Sequence, residues 1–194
     1  PPQLNLPSGI TSETKSLPTV SAVLTLGTTG NDSEWAHTVT KYDEKGRAVY
    51  IGNKNETLAS EDYVVNTYDF LGNVTKTQNE HIKGGDNLIV TDHFYYDHMS
   101  RPTMQKQFFS GTGAVKIIFQ NTYDELGQLE EKQVGASEGS YGDIYGYLQH
   151  INYSYNIRGW LTGINNPADL TEGQSSYMAD LFAFEIGYDQ PSLF

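Results

Sequence analysis

The chain has 194 residues, a formal net charge of −12 and 14 Tyr against 8 Phe and 2 Trp, with no cysteine. Its 12 Lys and Arg are spread thinly, so it lacks the basic patch that neutralises nucleic-acid phosphates, and an anionic membrane surface repels it. Disulfides, thiolate chemistry and Cys-type zinc sites are excluded outright, and an aromatic content of 12% argues against disorder in the middle of the chain.

Residues 1–33 are rich in Pro, Ser, Thr and Gly and read as a linker-like segment. Within it Leu17 to Leu26 adds one strand, and Gly27-Thr28-Thr29-Gly30-Asn31 forms a turn. The opening Pro1-Pro2-Gln3-Leu4-Asn5-Leu6-Pro7 lacks the charged and apolar regions of a signal peptide. No apolar run approaches the ~20 residues of a membrane helix, so membrane insertion is not expected.

Residues 34–194 repeat. Tyr42-Asp43-Glu44-Lys45-Gly46 is followed by Tyr68-Asp69-Phe70-Leu71-Gly72, Tyr96-Asp97-His98-Met99-Ser100, Tyr123-Asp124-Glu125-Leu126-Gly127 and Tyr155-Asn156-Ile157-Arg158-Gly159-Trp160. The tyrosines are 26, 28, 27 and 32 residues apart, and Gly187-Tyr188-Asp189 opens a sixth, incomplete copy. An Asp three residues before Gly, between two strand-like runs, predicts a hairpin with a type I turn. Its carboxylate bonds a backbone N–H two residues on, and the left-handed Gly forms a bulge. Asn156 serves in the same way. Ser100 costs roughly 1 kcal/mol at a glycine position, or gives its turn another shape.

The flanking runs read as strands, with Arg47 to Ile51, Val74 to Ile82, Val115 to Phe119 and Leu129 to Val134 as examples. Gly84-Gly85-Asp86-Asn87 and Ser110-Gly111-Thr112-Gly113 mark further turns. Thr75 to Glu80 has no apolar side, so that strand is expected to project into water. The predicted fold is all-β: a twisted antiparallel meander of about ten to twelve strands, two per repeat, that buries a Tyr-rich face.

Candidate chemistry is sparse. Asp92-His93 and Asp97-His98 suggest a metal, yet His93 and Asp97 on one strand stand roughly 13 Å apart, so solvated or cross-strand histidines are expected. Gly135 to Gly146 lacks the Lys-Ser/Thr ending of a phosphate loop. Glu130-Glu131 and Asp143 form no fixed carboxylate pair. No catalytic residue, metal or cofactor is assigned.

The Tyr-Asp-x-x-Gly signature at this spacing resembles the YD repeat of bacterial Rhs proteins and their teneurin and insecticidal-toxin relatives, over about residues 35 to 194. The run Tyr155-Asn156-Ile157-Arg158-Gly159-Trp160-Leu161-Thr162-Gly163-Ile164-Asn165 is similar to the start of the Rhs-associated core region. The resemblance implies a curved segment of a larger β-shell in a secreted or cell-surface protein. This chain departs from the pattern in its few repeats, in Ser100, and in showing no core protease or toxin segment. The expected role is non-catalytic: shell wall or interaction surface. The repeat-signature residues are structural, and the partners are neighbouring repeats or domains of a parent chain. Exposed sheet edges, with the incomplete repeat at Phe184 to Asp189 as the first, invite self-association. A polysaccharide or a protein is a further candidate partner, and the alternative role is a carbohydrate-binding module using exposed Tyr and Trp.

Overall fold

Runs of β-branched and aromatic residues, broken by Gly, Asp and Asn, favour strand and turn over helix. The computed structural model of the chain is all-β, and its described residues contain no helix. These are Thr14 and residues 16–26, 33–138, 144–170 and 179–188. The proline-rich opening, the Gly27 to Asn31 cluster, Gly139, Gly142, Asp143 and Asp189 lie outside them.

The chain divides into two units, Pro1–His93 with Phe108–Gly113, and Phe94–Gln107 with Ala114–Phe194. In the first, β1 (Val20–Leu26), β2 (Ser33–Tyr42), β3 (Ala48–Asn55), β4 (Ser60–Tyr68), β5 (Val74–Lys83) and the part of β6 (Asp86–Tyr96) up to His93 follow one another as an antiparallel meander. In the second, β7 (Pro102–Phe109), β8 (Val115–Tyr123), β9 (Leu129–Glu138), β11 (Gln149–Tyr155), β12 (Leu161–Ile164) and β13 (Phe184–Glu185) lie in that order, and β10 (Ile144–Tyr145) pairs with β9. Among the described residues twelve strands follow in meander order, within the expected ten to twelve, and the two-residue β10 lies off that path.

Two kinds of turn alternate. At one end of the hairpins stand the Tyr-Asp turns. At the other, Gly84 and Gly85 (φ 62° and 92°) form the two-residue turn between the paired Lys83 and Asp86. Gly111 and Gly113 likewise take positive φ in the expected turn after β7.

The hairpins headed by Tyr42, Tyr68, Tyr123 and Tyr155 carry a second irregularity that is not visible in the sequence. Tyr42 pairs with Ala48 but Lys41 with Tyr50, which leaves Val49 as an extra residue. The same step leaves Thr75, Glu130 and Thr162 extra in the hairpins headed by Tyr68, Tyr123 and Tyr155. Such bulges turn the strand and increase its local twist.

Burial is thin. Among the described hydrophobic residues only Tyr42, Val49, Ile117 and Ala136 are buried, and Ile117 and Ala136 are a directly opposed pair on β8 and β9. The expectation of a buried Tyr-rich face is therefore corrected. Of the signature tyrosines Tyr42 is buried, while Tyr68, Tyr96, Tyr123 and Tyr155 are half-buried, because a sheet with no helix laid on it covers a ring only by its neighbours in the same plane. The strand expected in water is corrected too. Thr75 to Gln78 are half-buried and Glu80 is only 5% exposed. Glu80 lies between Tyr63 and Ile89 on the adjacent strands and accepts the Asn87 side-chain amide at 2.7 Å.

Candidate functional site

The Tyr-Asp turn is where the recurring residues meet. In the first copy the Asp43 N–H donates to the Arg47 carbonyl (2.9 Å) and the Asp43 carbonyl accepts from the Gly46 N–H (3.0 Å), which closes a type I turn. Gly46 sits at φ 76°, and Gly72, Gly127 and Gly159 at 102°, 84° and 77°, the left-handed region open to glycine. Asp43 Oδ1 accepts the N–H groups of Lys45 and Arg47, both at 2.9 Å, and Oδ2 accepts Arg47 Nε at 2.7 Å. Asp97 repeats the set with Met99 and Arg101, and Asp124 with Leu126 and Gln128. Asp69 does so with Gly72 and Asn73. Asn156 Oδ1 takes the N–H groups of Arg158 and Trp160.

Ser100 keeps the shared shape. It adopts φ 62°, and its N–H donates to the Asp97 carbonyl at 3.0 Å. Of the two expectations for this position, the strained one holds.

The Asp43, Asp69 and Asp97 carboxyls are held below their ordinary value. Partial desolvation alone would raise the Asp43 and Asp97 carboxyls. The N–H and guanidinium of Arg47 or Arg101, with one further backbone N–H each, outweigh it and hold both below the ordinary value. The Asn73 side-chain amide and neighbouring N–H groups do the same for Asp69.

The hydroxyls of Tyr42, Tyr68, Tyr123, Tyr155 and Tyr188 each reach back to the segment before their own turn. Tyr68 donates its hydroxyl to the Ala48 carbonyl (2.9 Å), Tyr123 to Pro102 (2.9 Å), Tyr155 to Leu129 (3.0 Å) and Tyr188 to Leu161 (2.9 Å). Each acceptor is the first residue of the strand that leaves the preceding turn. Tyr42 does the same to Pro18 at 2.7 Å, and Ser16, two residues before Pro18, has φ 65°. The neighbouring ladder has already stopped there. The β3–β4 pairing ends at Tyr50 and Val65, and the β9–β11 pairing at Glu131 and Asn152. The phenol therefore satisfies a carbonyl that the diverging strand no longer reaches. Asn66 and Asn121 add their amides to the same two carbonyls, Ala48 and Pro102.

The residue after the turn glycine or serine completes the link. Arg47 stands over the Tyr68 ring and Arg101 over the Tyr123 ring, each with Cζ 4.5 Å from the centroid. Trp160 takes this position in the fifth copy and meets the Tyr188 ring at 5.2 Å between centroids. Neither the hydroxyl acceptor nor this position was read from the sequence. The recurrence of a long polar or aromatic side chain at Arg47, Asn73, Arg101, Gln128 and Trp160 was the available signal.

The other candidates separate. His93 packs edge-on against Phe108 at 5.1 Å, while the adjacent Asp92 is buried on the opposite face of β6. Among the described residues no three side chains of metal-ligating type converge. Glu130 is exposed in its bulge. Glu131 instead enters a polar cluster missed in the sequence, with its Oε1 3.0 Å from His150 Nδ1 and from Gln133 Nε2. Beside it Tyr147 donates its hydroxyl to Gln120 Oε1 at 2.7 Å.

A comparison with known protein-family models and with curated proteins finds no match for this chain.

Proposed function

We propose that the chain is a non-catalytic structural repeat segment of a secreted or cell-surface protein of the YD-repeat type, serving as wall or interaction surface. The observation that carries this reading is the tyrosine hydroxyl that bonds a carbonyl of the preceding hairpin at Tyr68, Tyr123, Tyr155 and Tyr188, and of the segment before β1 at Tyr42. The signature aspartates and glycines close their own turns, and these tyrosines tie one turn to the segment before it, which is a structural use of the repeat. Stability in such arrays is a sum of repeat and neighbour terms, and the partners are the repeats or domains that continue the parent chain. Trp160 fits the same scheme, since it fills the position of Arg47 and Arg101 and packs on the next tyrosine.

The test is an assay of the purified chain on glycoside, ester and peptide substrates, alongside Glu131→Gln and His150→Ala, which disrupt its most enzyme-like cluster. The expected result is no turnover by any of them. Turnover by the unsubstituted chain that either substitution abolishes would overturn the structural role.

A further inference from the structure

We propose that one face of the first unit, carrying Trp35, His37, Tyr50 and Tyr63, binds a neutral polysaccharide. Strand register places these side chains together. Leu24, Trp35, His37, Val39, Tyr50, Gly52 and Tyr63 occupy alternate positions on β1 to β4 that face the same way.

The Tyr50 ring lies flat on the sheet. A Cβ built on Gly52 would stand 2.7 Å from the Tyr50 hydroxyl oxygen and 3.1 Å from Cε1 and Cζ, so the ring covers the bare glycine backbone. Gly52 is not in the left-handed region, so the close ring is its visible requirement. Tyr63, directly opposite Gly52, adds a second ring at 6.2 Å and 30°. Trp35 and His37 form another near-parallel pair at 6.2 Å and 22°. Trp35 is 39% exposed and Val39, between the two pairs, 37%, so the strip is open to solvent.

A flat, solvent-facing aromatic strip matches the C–H face of a sugar ring. The negative π-face attracts the slightly positive C–H groups, and the ring hydroxyls project to the sides. Polar groups stand at those sides. Glu61 accepts the Tyr63 hydroxyl at 2.6 Å and lies 3.5 Å from Lys54, while the Lys41 ammonium stands over the Tyr50 ring, 5.4 Å from its centroid, where a sugar would displace it.

Charge selects a neutral ligand. This face carries Lys41, Lys54 and Lys76 against Glu61, Glu80 and Glu56, whose carboxylate lies 3.9 Å from His37 Nε2 and accepts the Trp35 N–H, a balance in a chain of charge −12. The opposite face carries Glu34, Asp62, Asp86 and Asp92 against Lys83 alone. An acidic glycan meets repulsion from the whole molecule, and a basic protein is drawn to the other face. The binding role is additional to the structural one, because none of these four side chains belongs to the Tyr-Asp signature.

The experiment is native affinity electrophoresis of the chain in gels containing a mixed-linkage β-glucan, a galactomannan or a dextran, with polygalacturonate as the anionic comparison. Trp35→Ala, Tyr63→Ala and Trp160→Ala are run beside it, with folding checked by far-ultraviolet circular dichroism. At least one neutral polysaccharide is expected to retard the chain. Trp35→Ala and Tyr63→Ala should each weaken retardation at least fivefold, and Trp160→Ala should leave it unchanged. If Trp35→Ala does not fold, His37→Ala replaces it and is read the same way. The proposal is overturned if no neutral polysaccharide retards the chain, if polygalacturonate alone does, or if the folded face variants bind like the unsubstituted chain.

Discussion

Arg47 joins two successive turns: its Nε donates to Asp43 of its own turn at 2.7 Å, and its guanidinium carbon stands 4.5 Å from the ring centroid of Tyr68, which opens the next. Arg101 and Tyr123 repeat the relationship at the same ring distance. The planar guanidinium bonds the carboxylate along its edge and offers its face to the ring, which a lysine ammonium cannot do. Arg101→Lys should therefore lower unfolding free energy by about 1 kcal/mol. Arg158→Lys, on an exposed side chain with no carboxylate in its turn, should change it by less than about 0.5 kcal/mol. Urea titration of both variants checks the difference.

The left-handed position gives a paired prediction of opposite sign. Gly127 has φ 84°, and a Cβ there would lie 2.7 Å from Arg101 Nη1. Gly127→Val should destabilise by more than ~1 kcal/mol, since a β-branched residue fits positive φ poorly. Ser100 already bears this strain at φ 62°, so Ser100→Gly should stabilise by roughly 1 kcal/mol. Thermal denaturation of the two variants should move the midpoint in opposite directions.

The turn aspartates predict an acid limb. Asp43, Asp69 and Asp97 have carboxyls held below the ordinary value of 3.8 in the folded chain. A depressed folded pKa means the folded state binds the proton less readily than the unfolded one. The stability this confers is fully present above the unfolded pKa, near about 4, and is lost as pH falls through the folded value. The melting temperature should therefore fall below about pH 4. In the double variant Asp43→Asn, Asp97→Asn it should start lower at neutral pH and fall less on acidification. Melting curves between about pH 6 and pH 2 check it.

Edge pairing should respond to salt. β1 is an uncharged strand at the margin of the first unit, with Val20 and Val23 more than 60% exposed, and such edges pair with other chains. The charge of −12 opposes association at low ionic strength, and screening relieves it. Sedimentation should show more association at about 0.15 M salt than at about 0.01 M. The reverse order would contradict edge pairing.

The turns were legible in the sequence because their chemistry is local. Asp43 and Gly46 lie three residues apart, and only a short menu of turns accepts that pair. The all-β meander followed from the same punctuation. The phenol-to-carbonyl bond was not legible because Tyr68 and Ala48 are joined across a strand pair whose ladder stops at Tyr50 and Val65, and register of that kind is set by the bulge at Val49. Glu80 was misread because a carboxylate in a polar run suggests water, whereas its burial comes from Tyr63, Ile89 and Asn87 on adjoining strands. The aromatic strip on β2 to β4 was equally hidden, since Trp35, Tyr50 and Tyr63 share a face only once three strands are in register.

Tyr68 and Tyr123 each hold their hairpin to the one before through the hydroxyl. The most direct measurement is urea unfolding of Tyr68→Phe and Tyr123→Phe against Tyr95→Phe, which removes the hydroxyl of a 43% exposed, non-signature ring. Each signature variant should lose about 1 kcal/mol, the net worth of one hydrogen bond, because Asn66 and Asn121 still donate to the Ala48 and Pro102 carbonyls, while Tyr95→Phe should stay within about 0.3 kcal/mol of the unsubstituted chain. Signature variants as stable as Tyr95→Phe would contradict it.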